Sequence, residues 1–489
     1  MNNTTLSPAL SWNPRLTTAF AEGELYVHQL GEALASPHLI AWNDSLAQEL
    51  GVAHLPAQLG EPTLCQAFTG ETALPASTPA SFVYSGHQFG HYVPRLGDGR
   101  ALWLGELASG WELQLKGSGL TPFSRMGDGK AVLRSSVREY VASEAMHALG
   151  IPTTRALCLV GSTTPVQRET VETAAVVTRV ARSFLRFGTV EYLHHTQQHA
   201  VLERLLVYVM THYYPHALAE VGLPAQVAAL YSSVCERTGA LVAHWQAVGF
   251  AHGVLNTDNM SLLGDTLDYG PYGFMEAFNP AFICNHSDHE GRYAFNQQPS
   301  IGAWNLSALG RAMSPWLTDD TFKTGQQAYT ASLTATFHNL MAKKLGLPTV
   351  SPELLKPLFV AMTQGQVELT RWFRWLSTYE AGQSPDTFKQ GLTNVPSMTE
   401  WLALYNAALA QSDTPTPLRH EAMQAVNPLY VCRNYMAQEA IDGLQRDDDT
   451  VFKRLLAVLN SPYTSHPHAE AWEGEPPLWA GGLCVSCSS

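Results

Sequence analysis

The stretch HGVLNTDNMSLLGDTLDYG, residues 252–270, decides how the rest of the chain is read. Phosphoryl-transfer loops place a proton-accepting Asp five positions before a metal-holding Asn, and a later Asp-aromatic-Gly supplies a second metal ligand. Asn259 and Asp268-Tyr269-Gly270 fall in that register, but Val254 stands where the proton acceptor belongs. Ser261-Leu262-Leu263 and Thr266-Leu267, joined by Gly264-Asp265, predict a small hairpin that brings Asn259 and Asp268 together. Taken alone, the stretch also fits an ordinary polar loop with a turn.

Composition narrows the choice. At 489 residues, with 45% hydrophobic and 15% charged residues, the chain is globular and is expected to divide into roughly two or three packed subdomains. Twenty-nine basic against 42 acidic residues give a formal charge of −13, which argues against a broad nucleic-acid partner, so any phosphate site must be local. The segment MNNTTLSPALSW lacks a basic and apolar leader pattern, and no apolar run of about 18 residues follows. The expectation is a cytoplasmic monomer with no membrane partner. Seven scattered cysteines, with one Cys-x-x-Cys at Cys484 and Cys487, do not form a disulfide framework. The histidine clusters (194, 195 and 199; 286 and 289 with Cys284; 466 and 468) lack paired zinc spacing and read as loop or surface histidines.

Along the chain, a strand-rich front gives way to a helical back. Asp98-Gly99 in PRLGDGRALWLGE (94–106) predicts a tight hairpin turn, and WELQLKG (111–117) alternates like a half-buried strand ending at Lys116. SSVREYVASEAMHALG (135–150) predicts a helix capped by Ser and stopped by Gly150. Strand patterns return near 156–160 and 174–180, and helical patterns occupy 201–214, 226–248, 322–345 and 352–378. The order is α+β and matches a protein-kinase-like two-lobed fold. Its expected divisions are an N-terminal extension (1–80), a strand-rich N-lobe (81–180), a helical C-lobe with the metal and catalytic loops (181–310), and a C-terminal helical extension ending in the Cys-x-x-Cys tail (311–489).

Such a site needs a strand lysine held by a helix glutamate, so that a fixed ammonium meets nucleotide phosphates. Lys116 supplies the first, and Glu139 or Glu144 the second, a choice that periodicity leaves open. Between them, GSGLTPFSRMGDGKAVLRSS (117–136) combines Gly117, Gly119, Gly127 and Gly129 with Arg125, Lys130 and Arg134, an anion-cradling composition that equally suits a surface loop. TRVARSFLRFG (178–188) concentrates Arg179, Arg182 and Arg186 in an acidic protein.

Taken together, YSGHQFG (84–90), PRLGDGRA (94–101), LKGSGLTPFSRMGDGKAVLRSSVREY (115–140), HGVLNTDNMS (252–261), LDYGPYGFMEAF (267–278), NPAFICNHSDHEGRYAFNQQPSIGAWNL (279–306) and NPLYVCRNYMAQEAI (427–441) resemble the selenoprotein O family, called YdiU in bacteria. The resemblance spans nearly the whole chain. It implies a kinase-like fold that transfers AMP from ATP to Ser, Thr or Tyr hydroxyls of proteins, with the nucleotide flipped so that the α-phosphorus faces the acceptor. Bacterial members are also linked to transfer of UMP from UTP with Mn²⁺. By motif, Asp258 matches the family's proton acceptor, which accounts for the loss of a base at position 254. Asn259 and Asp268 match the ligands of Mg²⁺ or Mn²⁺, and Lys116 a phosphate contact with Glu139 as its ion-pair partner. Gly97, Gly99 and Arg100 match one nucleotide-binding segment, Asp128 and Gly129 another, and Arg179 and Arg186 the phosphate-clamping arginines.

Two alternatives stand beside this one: γ-phosphoryl transfer with Asp258 as base, and a nucleotide-binding pseudoenzyme. The resemblance also sets Cys487 where eukaryotic relatives carry selenocysteine. A redox bridge within the tail, Cys484 to Cys487, or from Cys487 to Cys284 beside the metal loop, is the expectation that follows, with the second preferred because it reaches the catalytic loops.

Overall fold

Glu112–Lys116 is the strand on which the site is built, and it lies inside an antiparallel sheet. The computed structural model describes residues 10–384, 388, 395–483 and 485. Among these the sheet has nine strands, running in the order Tyr26–His28, Ala80–Phe82, Ala101–Leu107, Glu112–Lys116, Val171–Ala181, Arg155–Gln167 and His38–Trp42. The short strands Trp12–Asn13 and Ala131–Val132 pair beside Ala101–Leu107 and Val171–Ala181. The first eighty residues therefore supply both edges of the sheet.

Val-, Leu- and Ala-rich runs such as Leu157–Val160 and Ala174–Val177 are buried on both faces. One face packs on the short helices Asp44–Leu50 and Glu61–Thr69 through Leu46, Leu64, Phe68, Leu113 and Leu115. The other receives the helix Leu133–Ala148, whose Val137, Tyr140, Val141 and Ala145 face the sheet and the helices Asn434–Leu444 and Thr450–Asn460. Chain beyond Arg186 is mainly helical, with Leu223–Val248 lying against Asp319–Leu345. The fold is mixed α and β. Among the described residues no helix is long and apolar enough to cross a membrane.

Several local expectations need correction. The strand at 112–116 is buried on both faces, because its polar row of Glu112, Gln114 and Lys116 turns toward a cleft and neighbouring polar groups instead of solvent. Asp98-Gly99 closes no hairpin. Asp98 instead accepts the Phe82 amide at 3.0 Å and returns its own amide to the Phe82 carbonyl at 2.8 Å, which pins the loop across the sheet. The helix expected from Ser135 begins at Leu133 after Val132, with Ser135 in its first turn bonded back to the Val132 backbone. The 352–378 segment forms two helices, Pro352–Gly365 and Leu369–Leu376, divided at Gln366 in the left-handed region (φ 49°), with Glu368 capping the second. The hairpin expected between Asn259 and Asp268 reduces to one antiparallel bridge, Met260 to Thr266, because Thr266 also pairs with Thr153.

Glu112 carries a testable consequence of this burial. It is 1% exposed, and one oxygen accepts the Phe184 amide and the Trp103 indole N–H. The other oxygen has no partner among the described residues. Burial, reinforced by the Glu106 charge, pushes its pKa up to about 8. The folded state then keeps a proton that the unfolded chain releases near the ordinary carboxylate value, so stability is full below that value and declines as pH rises toward 8. In Glu112→Gln that decline disappears. Thermal unfolding at several pH values should show the variant gaining on the parent between pH 5 and 8, as the pKa of Glu112 dictates; a pH-independent difference would contradict the assignment.

Candidate functional site

The cleft between the sheet and the 252–271 loops has a volume of about 730 Å³, within the usual range for a small-molecule site. Seven basic side chains line it against four acidic ones, although the whole chain is acidic. This local reversal of sign concentrates where the sheet meets Asp268. Lys116 pairs with Glu139, which is 0% exposed, and Arg179 on the adjacent strand pairs with the other oxygen of the same carboxylate. Arg179 also donates to Gln114 at 3.1 Å and pairs with Asp268, whose second oxygen is taken by Arg186. Glu144 goes elsewhere: it holds Arg155 and the Ala156 amide, so the helix presents Glu139 alone to the cleft.

Burial lowers the Lys116 pKa to about 8, with Glu139 opposing the shift. Burial would raise the carboxylates of Glu139 and Asp268, but the surrounding cations outweigh it and hold both below their ordinary values. All five groups are therefore charged near neutrality. Asp268 sits in the left-handed region (φ 59°), an uncommon conformation for a non-glycine residue and one that concentrates at functional sites.

Asp258 and Asn259 belong to the single turn Thr257–Asn259. Thr257 anchors it by donating to Glu191 and accepting the His87 amide at 2.7 Å, while His87 Nδ1 lies 2.6 Å from Glu191. Arg186 donates to the Asp258 carbonyl at 2.9 Å. Gln88 donates to one Asp258 carboxylate oxygen at 3.2 Å, and the other is buried without a partner among the described residues. Burial raises this carboxyl to about 7, with Gln88 and Arg186 opposing. Two glycines make room for the turn. A Cβ on Gly86 would lie 2.6 Å from Asp258 Oδ1, and one on Gly188 would lie 2.1 Å from the Ser85 carbonyl and 3.4 Å from Asp258 Cα.

Gly97, Gly99 and Arg100 line the same cleft, as do Asp128 and Gly129. Burial disfavours the Arg100 guanidinium as a cation more than nearby Asp268 and Glu139 favour it, so a bound anion would relieve it. Asp128 is held by Arg168 at 2.7 Å from the turn between the two long strands, a residue that sequence reasoning missed and that carried no local signal. Gln88 and Asn256 were also missed as individual residues, although both lie in quoted motifs. Three basic residues have other employment: Arg182 stacks on Trp111 at 3.9 Å, Arg134 pairs with Glu172, and Lys130, at the cleft edge, pairs with Glu32. Cys284 is buried behind the Gly253 backbone and outside the cleft lining, with its thiol 3.4 Å from the Ala251 carbonyl. Cys484 and Cys487 lie outside the described residues, but the Val485 carbonyl accepts the His286 amide at 2.8 Å.

The donor set suits a hard divalent cation. Asn259 spends its amide nitrogen on the Val254 carbonyl at 3.0 Å, which leaves its carboxamide oxygen for a cation, and Asp268 would add a carboxylate oxygen once Arg179 or Arg186 gives one up. Mg²⁺ and Mn²⁺ are commonly held by one or two such oxygens together with substrate phosphates.

Residues 9–460 match the model of the family described as Protein adenylyltransferase SelO. The chain is 48% identical over 443 residues to a Protein nucleotidyltransferase YdiU of Myxococcus xanthus, covering 89% of this chain and 90% of that protein. It is 47% identical to the protein of that name from Thioalkalivibrio sulfidiphilus, over 93% of this chain and 94% of the relative. With the one from Albidiferax ferrireducens it shares 45% identity over 100% and 99% of the two chains.

The tight approach at Gly188 generates a prediction. Gly188 lies in the first turn of the helix Phe187–His195 without a positive φ, so alanine would favour the helix locally. Its added methyl instead drives into the Ser85 carbonyl and toward the Asp258 backbone. Gly188→Ala should cost about 1–3 kcal/mol in denaturant unfolding, as overpacking does. Stability equal to or above that of the parent would show that the turn yields freely.

Proposed function

Because the chain belongs to the SelO family of protein adenylyltransferases, we propose that it transfers AMP from ATP to Ser, Thr or Tyr hydroxyls of proteins with release of pyrophosphate. The observation that carries this reading is the buried cluster of Lys116, Arg179 and Arg186 opposite a turn bearing a carboxylate and a carboxamide. Three cations against two carboxylates leave positive charge in the cleft for an anion, and pyrophosphate is a leaving group that gains from it. The strand-rich part ending near 180 and the helical part from 181 are read as the two lobes of a kinase-like fold, flanked by extensions over 1–80 and 311–489.

The three cations hold the β- and γ-phosphates, with Arg100, Gly97 and Gly99 along one side of the nucleotide and Asp128 and Gly129 along another. The acceptor oxygen attacks the α-phosphorus and its proton passes to the Asp258 carboxylate. The bond from that phosphorus to the bridging oxygen breaks, and pyrophosphate leaves with the electron pair. A divalent cation, which Asn259 and Asp268 would hold, would supply neutralising charge to the phosphate oxygens. Arg179 and Arg186 occupy both Asp268 oxygens, so phosphates that drew these arginines away would also free the carboxylate for a cation. UTP offers the same triphosphate, and competition between the two nucleotides in one assay identifies the preferred donor. The reading extends to thiol control through Cys284, Cys484 and Cys487. Because the tail at Val485 meets the loop at His286, a Cys284–Cys487 bridge is the form to seek by peptide mapping of the non-reduced protein.

Incubation of the protein with acceptor protein, Mn²⁺ and ATP labelled at the α or γ position tests the reaction. Label from the α position alone is the expected result; label from γ alone means a kinase, and none means a binding protein. Asp268→Ala should abolish transfer. Asp258→Asn should slow it by about 10²–10⁴-fold at saturating nucleotide, the usual contribution of a general base. A variant at 258 that transfers normally once saturated would make this carboxylate a positioning group.

Order of binding gives a separate measurement. Titration of free Mn²⁺ followed by electron paramagnetic resonance should show weak binding to the protein alone and about tenfold tighter binding with a non-hydrolysable nucleotide, a coupling of ordinary size. Equal affinity in both conditions would contradict the arginine exchange.

A further inference from the structure

The hairpin Gly86–Gln88 and His91–Val93 turns through Phe89 and Gly90, at φ 49° and 83°. Two successive left-handed residues match the twist of a two-residue hairpin, but Asn, Asp or Gly takes the first position with least strain. A bulky aromatic residue there is an outlier. Core packing does not explain it, since Phe89 is 37% exposed and lines the cleft.

The strained peptide is held from beneath. The Phe89 amide donates to the Tyr293 hydroxyl at 2.9 Å and to Asn256 at 3.3 Å, and Tyr293 donates to the same Asn256 oxygen at 2.6 Å. Asn256 is two residues before Asp258, and Gln88, next to Phe89, donates to the Asp258 carboxylate. The hairpin tip and the turn carrying Asp258 are thus tied into one unit. A surface of mixed chemistry continues outward. The Phe89 ring lies 5.0 Å from that of Tyr293, and the Arg292 guanidinium lies 4.9 Å over Trp304 and covers Gly90. Arg292 is half-buried on these aromatic faces and forms no ion pair among the described residues, so its charge is left for an acidic group.

We propose that this hairpin is the docking point for the acceptor: an extended protein segment whose apolar residue beside the modified hydroxyl packs on Phe89, with an acidic residue farther along reaching Arg292. The inference rests on the nucleotidyl-transfer reading of the cleft. Arg186 meets Asp258 at its backbone carbonyl, whereas the hairpin meets it at the carboxylate through Gln88, so a hydroxyl reaching that carboxylate brings its neighbouring residues to the hairpin tip. The strain at position 89 is what the fold accepts to keep an exposed ring there.

Synthetic peptides test it with α-labelled ATP, each carrying one Ser: the first flanked by Leu and Asp, the second by Ala and Lys, and two controls that exchange one position at a time, Leu with Lys and Ala with Asp. The wild-type protein should prefer the first over the second by about tenfold in kcat/KM, chiefly through KM, the scale on which one apolar contact discriminates. Phe89→Gly removes the ring and the strain together. It should abolish the preference for Leu with the KM for ATP unchanged and thermal stability unchanged or raised. Arg292→Ala should abolish only the preference for Asp. If the ring merely pins the hairpin on Tyr293, Phe89→Gly lowers thermal stability and leaves the peptide preference intact, and that result overturns the proposal. Equal labelling of the first and second peptides by the wild-type protein sinks the docking inference alone. Absence of α-label on every peptide and on whole acceptor proteins sinks the transfer reading, and the inference with it.

Discussion

One buried carboxylate, Glu139, holds the site together. It receives Lys116 from one strand and Arg179 from the next, and Arg179 passes the connection to Asp268 on the loop across the cleft, where Arg186 joins. Two carboxylates therefore compensate three cations. Burying this many charges is costly, and removing one member of a buried pair typically loses about 3–5 kcal/mol, whereas an apolar replacement of the whole set is often neutral or stabilising. The network is poor value as a stabilising device. Its worth lies in presenting an uncompensated positive charge, at fixed positions, from elements that the sheet and helix already hold rigid.

The same network explains which parts of the site could be seen in the sequence. The spacing of Asn259 and Asp268 is local, so the chain order alone exposes it. The partner of Lys116 is not local. Glu139 and Glu144 lie on one helix, and only the turn of that helix against the sheet aims the first at the cleft and the second at Arg155. The alternation Trp111 to Lys116 is legible as a half-buried strand, but a sequence cannot show what covers the face that carries Glu112 and Gln114. Glu112 and Gln114 are buried under other polar groups, with Gln114 shared between Asp98 and Arg179.

Basic residues gave the least dependable signal, for a physical reason. Arginine and lysine side chains reach far and satisfy themselves with whatever acid or ring is nearest, so a cluster in sequence need not be a cluster in space. Arg179 and Arg186 face Asp268, while Arg182 between them turns to Trp111 just past the end of its strand. Arg168, which secures Asp128, enters from the tip of the hairpin between the two long strands, with forty residues separating the pair. A contact across such a distance leaves no periodicity to read. The short connections, by contrast, follow backbone rules that single residues obey, yet even these shift when a tertiary bond competes, as at Asp98 and Thr266.

The displacement of the carboxylate from position 254 to position 258 has a structural consequence beyond the change of residue. With Val254 in the earlier position, the groups read as proton acceptor and metal ligand become neighbours, Asp258 and Asn259, on one short turn. That turn is clamped by Thr257 to Glu191 and His87, by Arg186 at its carbonyl, and by two glycines that admit the surrounding backbone at closest approach. The two groups cannot then move independently. In the proposed reaction, a cation held at Asn259 would therefore stand at a fixed separation from the proton acceptor. Local geometry would thus set the spacing of the two groups without a separate loop to carry either of them.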